Sequence, residues 1–280
     1  MHPAVAPAAR TRPRRSPTLV AAAAALPVLL ASPGARANDR HFTYTYESAV
    51  LPQGGRELEV WSTARLGRDT YYSRFDHRVE FEVGLTNRLQ TSFYLNFNAI
   101  TAATMPGVRE STVEFAGVSS EWKYKLTDPM ANPVGLALYG ELTATTSELE
   151  IETKLIADKR VGNWLVAANL VPELELEFKP GETETELVLE LDLGATYFLT
   201  PNLSLGLELR SRSELEDADE LQRSVLYAGP VLAYATQSWW VALTLMPQLP
   251  ALKKPSGQSG ALVLDDFERF NARLLFSFHL

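Results

Sequence analysis

Leu187-Val188-Leu189-Glu190-Leu191-Asp192-Leu193-Gly194-Ala195-Thr196-Tyr197, a turn at Leu199-Thr200-Pro201-Asn202, and Leu203-Ser204-Leu205-Gly206-Leu207-Glu208-Leu209-Arg210 together decide the fold of this chain. Both arms alternate with a period of two. One face is almost pure hydrocarbon, and the other carries acids, glycines and an arginine. Successive side chains of a strand point to opposite faces. If many such hairpins close into a ring, the apolar face meets lipid and the polar face lines a lumen.

The first 37 residues read as a secretory signal peptide. Arg10, Arg12, Arg14 and Arg15 form a basic start, Leu19 to Ala31 is an apolar run broken only by Pro27, and Ala35-Arg36-Ala37 fits a small-x-small cleavage site. That run is shorter than the roughly 20 residues a transmembrane helix needs. Its removal takes away five arginines and no acid, leaving 21 basic and 34 acidic side chains and a formal charge of −13. This balance argues against nucleic acid as a partner. The absence of cysteine excludes a disulfide framework and a thiolate metal site.

The alternation of the opening hairpin extends along the mature chain as about twelve strands. Phe75, Val79, Phe81, Val83 and Leu85 oppose Arg74, Asp76, Arg78, Glu80 and Glu82; Trp164, Val166, Ala168 and Leu170 oppose Leu165, Ala167, Asn169 and Val171. The predicted fold is all-β, a transmembrane antiparallel up-and-down β-barrel over 56–280, preceded by a periplasmic N-terminal segment over 38–55. Pro172 and Pro230 fall inside predicted strands and predict a bulge or strand end, since proline lacks a ladder donor.

Short turns at Thr86, Thr127, Asp158 to Asn163, Thr200 and Thr236 separate hairpins, and longer connections are predicted at 99–114, 211–224 and 247–266. Short turns on one rim and long loops on the other fit an outer-membrane barrel with its short side periplasmic. Trp122, Tyr124, Trp164, Tyr197, Phe198, Tyr234, Trp239, Phe276 and Phe278 lie near that rim, as an interfacial aromatic girdle would.

Phe270-Asn271-Ala272-Arg273-Leu274-Leu275-Phe276-Ser277-Phe278-His279-Leu280 resembles the C-terminal assembly signal of Gram-negative outer-membrane proteins, with Phe276, Phe278 and Leu280 in its alternating positions and Leu in place of the usual terminal Phe. Phe42-x-Tyr44-x-Tyr46-Glu47, Leu51-Pro52-x-Gly54 and Glu57-x-Glu59-x-Trp61 resemble the start of a proteobacterial family of outer-membrane proteins with no assigned activity. The resemblance implies the outer membrane as location, with lipid and the barrel-assembly machinery as partners, and no chemistry.

The polar face gathers carboxylates: Glu148, Glu150 and Glu152, then Glu173, Glu175 and Glu177, then Glu184, Glu186, Glu190 and Asp192, on three neighbouring strands with Lys154 as the inward base. Facing carboxylates repel, so the patch requires water, cations or arginines from elsewhere, such as Arg74, Arg78, Arg210 and Arg273. Three readings follow: a salt-bridged lumen, a cation-attracting vestibule, or a divalent site, since hard cations take carboxylate oxygens. The function predicted is a passive channel or small-solute transporter with a cation-favouring lumen, without cofactor or catalytic residues. The alternatives are a lipid-modifying enzyme, with Ser62 as nucleophile opposite His77 as base, and a plugged structural or surface-interaction barrel. His41 and His279 stand alone, without metal-ligand spacing.

Overall fold

The computed structural model describes residues 39–216 and 220–280; the predicted signal peptide lies outside the described residues. The chain forms β1 (Arg56–Leu66), β2 (Tyr72–Gly84), β3 (Leu89–Met105), β4 (Val108–Thr127), β5 (Gly135–Ala144), β6 (Glu148–Val161), β7 (Trp164–Lys179), β8 (Glu182–Phe198), β9 (Leu203–Glu216), β10 (Glu220–Ala235), β11 (Trp239–Lys253) and β12 (Phe270–His279). Each strand pairs antiparallel with its sequence neighbours, and β12 returns to β1, closing the barrel. Closure removes the free edges that would otherwise leave backbone donors without partners.

The alternation read from the sequence sets the two faces. On β9, Leu207 is 64% exposed while the adjacent Glu208 is 1% exposed. Phe81, Phe93, Leu95, Leu170, Leu191 and Leu205 share the exposed outer surface, and Glu57, Glu80, Asn169 and Glu190 lie inside. A polar interior beneath an apolar exterior inverts the arrangement of a barrel that folds in water.

We call the rim that holds Arg56, Leu280 and the turns at 85–88, 128–134, 162–163, 199–202 and 236–238 the lower rim. There the Leu280 amide donates to the Arg56 carbonyl at 2.9 Å. Outer-face aromatics concentrate at this rim: Trp164 meets Tyr197 edge-on at 5.2 Å, and Trp239 stacks on Phe276 at 5.7 Å. Phe198 departs from the predicted girdle. It follows Tyr197, so parity turns it inward, where it is buried.

Two predicted loops are largely strand. The ladder between β3 and β4 continues through Asn98↔Glu114 to Met105↔Val108, and that between β9 and β10 runs to Glu220↔Glu216. Only the third, beyond Lys253, remains mostly irregular up to Phe270. Backbone pairing persists above the apolar band, but there the hydrophobic alternation that marks a strand in sequence is lost: Thr101-Ala102-Ala103-Thr104 and Ser211-Arg212-Ser213-Glu214 carry no apolar-to-polar contrast between faces. Neither proline ends its strand or shifts its register: the β6 to β7 ladder omits Pro172 and the β10 to β11 ladder omits Pro230, with the same register on either side.

Candidate functional site

Residues 39–55 fold into the lower half of the lumen and return to the rim they entered. Asp39 Oδ1 lies 3.6 Å from His279 Nε2 at that rim, and Gly54 N donates to Gly84 O at 2.8 Å where the segment leaves it. Between these points Phe42, Tyr44, Tyr46 and Leu51 are buried. The sequence predicts a periplasmic N-terminal segment over 38–55, and its described residues, 39–55, lie within the lumen. Alternate aromatics at 42, 44 and 46 need an apolar partner, and the barrel interior supplies one. Tyr46 packs among Trp61, Tyr94, Tyr139 and Trp240, and Phe42 packs against Leu165, Phe198 and Val231.

Four wall residues grip the backbone of this segment. The Glu208 carboxylate accepts hydrogen bonds from the amides of Thr43, Tyr44 and Thr45 at 3.1, 2.9 and 2.8 Å, and also from the Thr43 hydroxyl at 3.2 Å. Asn169 works in both directions, accepting from Tyr46 N at 2.6 Å and donating to Tyr46 O at 2.9 Å. Asp158 takes the Ser48 hydroxyl and Gln90 takes the Leu51 amide at 2.8 Å. Two strand glycines make room: a Cβ on Gly84 would lie 2.1 Å from the Pro52 carbonyl oxygen, and one on Gly194 would lie 2.7 Å from the Phe42 ring.

Cations surround Tyr46. The Arg40 guanidinium sits 4.0 Å and the Lys154 ammonium 4.4 Å from its ring centre, an attraction of a cation for the ring face. The hairpin closes on itself through His41 Nδ1, 3.1 Å from Glu47 Oε1. Burial disfavours charge on His41, but Glu47, aided by Asp39 and opposed by Arg160, outweighs it and raises the imidazole above its ordinary value of 6.5. Burial likewise acts against the Glu47 carboxylate, which His41 nevertheless holds below 4.5.

The sign of the pH effect follows. The histidine contribution is complete below 6.5 and is lost as pH rises through the raised value, and the glutamate contribution is complete above 4.5 and is lost as pH falls through the lowered one. The segment should therefore be held most firmly between these ordinary values. In this cysteine-free chain, Ala49→Cys should become more reactive to a thiol reagent at pH 9 than at pH 6, relative to Ser256→Cys in the exposed loop. Equal ratios at the two pH values, or the same change in a His41→Gln background, would show that the pair does not hold the segment.

The acids form a continuous ribbon rather than one patch. Glu57 pairs with Glu82, Glu82 with Ser92, Ser92 with Glu121, Glu121 with Glu141, Glu141 with Glu152 and Glu152 with Glu173. Glu57 is near the lower end of β1 and Glu173 is high on β7, so this row of cross-strand neighbours climbs the inner wall. It leads to an acidic cavity of about 520 Å³ at the upper rim, lined by Glu148, Glu150, Glu175, Glu177, Glu184 and Glu186, with Arg223 beside them. Two unit charges about 4 Å apart interact by roughly 4 kcal/mol at an effective dielectric near 20, so a ribbon of this length needs counter-charges.

It has them only in part. Arg212 Nη1 lies 3.1 Å from Glu173 and 3.4 Å from Glu190, and its Nη2 lies 2.9 Å from Glu175. Arg210 pairs with Glu190 through two nitrogens, Lys154 sits 2.6 Å from Glu152, and Arg78 reaches Glu141 at 3.2 Å. Lys179 joins Glu177 and Glu184 at 3.2 and 2.5 Å. Of the arginines suggested by sequence, Arg210 serves the predicted patch and Arg78 serves Glu141. Arg74 binds Asp76 instead, and Arg273 lies over the Tyr44 ring. Arg212, the most connected of all, was missed because the predicted strand stopped at Arg210. The buried Asp192 also lies on this wall, paired across strands with Arg210 and Asn169.

Ser62 and His77 do face one another across β1 and β2. No hydrogen bond joins them among the described residues; His77 stacks on Phe75, and the flanking cross-strand residues are Leu274 and Phe97. Among the described residues no carboxylate bonds the His77 imidazole.

A family model matches residues 34–280. The chain belongs to the family of unknown function DUF6662. We find no match for this DUF6662 member among curated proteins. Among solved structures, its barrel resembles the NanC porin at 14% identity and a TM-score of 0.52, over 80% of this chain and 100% of the porin. The beta domain of the Bordetella autotransporter BrkA aligns at 10% identity and 0.49, over 81% of this chain and 100% of that domain. OmpT of Vibrio cholerae aligns at 7% and 0.38, over 83% and 99%. The NanC likeness shows that the DUF6662 member has the fold of an outer-membrane β-barrel.

Proposed function

We propose that this protein resides in the bacterial outer membrane, lower rim toward the periplasm, and passes small cations through its acidic lumen, with residues 39–55 as the constriction. The observation that carries this reading is the carboxylate ribbon, whose cross-strand neighbours run from Glu173, below the upper cavity, to Glu57 beside the lower rim. Its field acts in a narrow space, comparable in radius with the Debye length of roughly 8 Å at physiological salt. The apolar outer surface, the aromatics at one rim and the export signal predicted from the sequence support the location and orientation. Lipid and the barrel-assembly machinery are then its partners.

The test is the reversal potential in planar bilayers under a KCl gradient, for the intact protein and for one lacking residues 39–50. Preference for K⁺ over Cl⁻ is expected, weakening at molar salt. Replacing Glu148, Glu150, Glu175, Glu177, Glu184 and Glu186 by Gln should lower that preference while leaving the fold intact. An unchanged reversal potential would mean that the arginines neutralise the wall. No conductance in either form would favour the plugged structural barrel instead. Ester hydrolysis abolished by Ser62→Ala would favour the lipid enzyme, for which the bare Ser62 and His77 juxtaposition is the support.

A further inference from the structure

Two carboxylate triads on the inner wall have ligand oxygens within 4.8 Å of one another: Glu59, Glu80 and Glu82, and Glu152, Glu173 and Glu190. They differ in their counter-charges. The second is already neutralised by Lys154, Arg210 and Arg212. In the first, among the described residues, no lysine or arginine nitrogen lies within 4.0 Å of any of the three. Both oxygens of Glu59 and both of Glu80 are buried without a hydrogen-bond partner. Glu82 receives only Gln90 Nε2 at 2.8 Å.

Lys123 of β4 acts on Glu82 from a distance, and the cation acting on Glu59 and Glu80 is Arg40 of the inserted segment. Its guanidinium is committed to Tyr46 and Trp61, at 4.0 and 4.9 Å from their ring centres, and one of its nitrogens donates to the Thr43 carbonyl at 3.1 Å. Two such charges at a distance do not balance three carboxylates, with Glu57 paired directly across from Glu82 as a fourth.

A second observation comes from a different strand and an uncharged group. Ser92 on β3 is the cross-strand neighbour of Glu82, faces the lumen and is wholly buried, and its hydroxyl has no partner. A buried polar atom without a partner calls for an explanation, a bound ion among them. Here one oxygen from each of Glu59, Glu80 and Glu82 lies within 4.8 Å of the others, and the Ser92 hydroxyl stands on the neighbouring strand beside Glu82; all are hard donors. Hard divalent cations take such oxygens, and Ca²⁺ binds them at about 2.3–2.6 Å in flexible geometry, so oxygens on opposite sides of it stand roughly 4.6–5.2 Å apart. Thiolate and imidazole ligands, which would favour transition metals, do not occur in this triad.

We propose that Glu59, Glu80 and Glu82, with the Ser92 hydroxyl, form a binding site for a hard divalent cation of the calcium type, buried in the wall beneath the inserted segment. The site stands apart from the conduction reading, because occupancy can be measured with no current flowing.

The experiment is calcium binding by the full-length barrel, stripped with chelator, using titration calorimetry and elemental analysis with CaCl₂ as the probe. One equivalent is expected to bind with an affinity of roughly 0.1–1 mM or tighter, the range of extracellular calcium modules. Thermal unfolding should shift upward by several degrees when calcium is added. Glu59→Gln combined with Glu80→Gln should abolish both effects, whereas Glu152→Gln combined with Glu173→Gln should preserve them. If the first pair prevents folding, Ser92→Ala tests the same site without changing charge and should weaken calcium binding about tenfold in a barrel of normal heat-modifiable mobility. No calcium bound by the wild type would overturn the proposal. Wild-type calcium affinity in the Ser92 or the Glu59/Glu80 variant would overturn it too. A melting temperature that rises on acidification but ignores calcium would show that a shared proton, not a metal, compensates the triad.

Discussion

Glu208→Ala is expected to release the inserted segment and raise the conductance of the barrel several-fold. The carboxylate of Glu208 holds three consecutive amides and a threonine hydroxyl of the segment, and it also accepts from Thr244 on β11. Hydrogen bonds to a charged group contribute about 1.5–3 kcal/mol each, so losing even two of them shifts the seated and released populations by roughly a thousandfold. The alanine leaves three amides of the buried segment without the acceptor they use, which adds to the effect. Glu208→Gln retains one acceptor oxygen and should lie between alanine and wild type. Deleting residues 39–50 gives the open reference. Two readouts decide the matter: single-channel conductance, and proteolysis within 40–50 of the folded barrel. If Glu208→Ala leaves both at the wild-type level while the deletion changes them, Glu208 does not seat the segment. If the deletion also changes neither, the segment does not obstruct the path.

Removal of Phe276 to Leu280 is expected to abolish assembly. These residues provide the register pairs Glu57↔His279, Leu58↔Phe278, Glu59↔Ser277 and Val60↔Phe276 that join β12 to β1. They also provide Trp239↔Phe278, Trp240↔Ser277 and Val241↔Phe276 against β11. Without them the lower halves of β1 and β11 become unpaired edges in an environment with no water to satisfy them. The loss should appear as disappearance of the heat-modifiable band on gels. Recovery of a folded, heat-modifiable barrel from the truncated chain would show that ring closure does not depend on this stretch.

The wall was legible in the sequence because a membrane barrel writes its geometry into alternation. Where one face is apolar and the other wet, as from Leu187 to Arg210, strand ends and inward residues can be read directly. Legibility ended where the physical contrast ended. Thr101 to Met105 and Ser211 to Glu216 are strands whose two faces do not differ in polarity, so Arg212, the hub of the acid wall, fell in an expected loop. The N-terminal segment failed for a different reason. Phe42, Tyr44 and Tyr46 signalled burial, but their partners Asn169, Glu208 and Trp240 are far along the chain, and only closure of the barrel brings them near. Glu80 was assigned to the polar face, but its pairing with Glu59 was missed, because cross-strand register is not a local property of either strand.

The inserted segment also orders events in time. Its partners lie 39 residues away at Gln90, 110 at Asp158, 123 at Asn169 and up to 165 at Glu208. The entropy of closing loops this long must be met before any of these bonds can form, and the four partners stand on β3, β6, β7 and β9, so the wall from β3 to β9 must be paired before all of them can act. Complete seating therefore comes after most of the wall has formed. It proofreads: only a wall paired in the correct register lines up Gln90, Asp158, Asn169 and Glu208 to receive the same short stretch of backbone. A barrel with one strand slipped would remain hollow, and its dangling N-terminal residues would be the first place a quality-control protease could take hold.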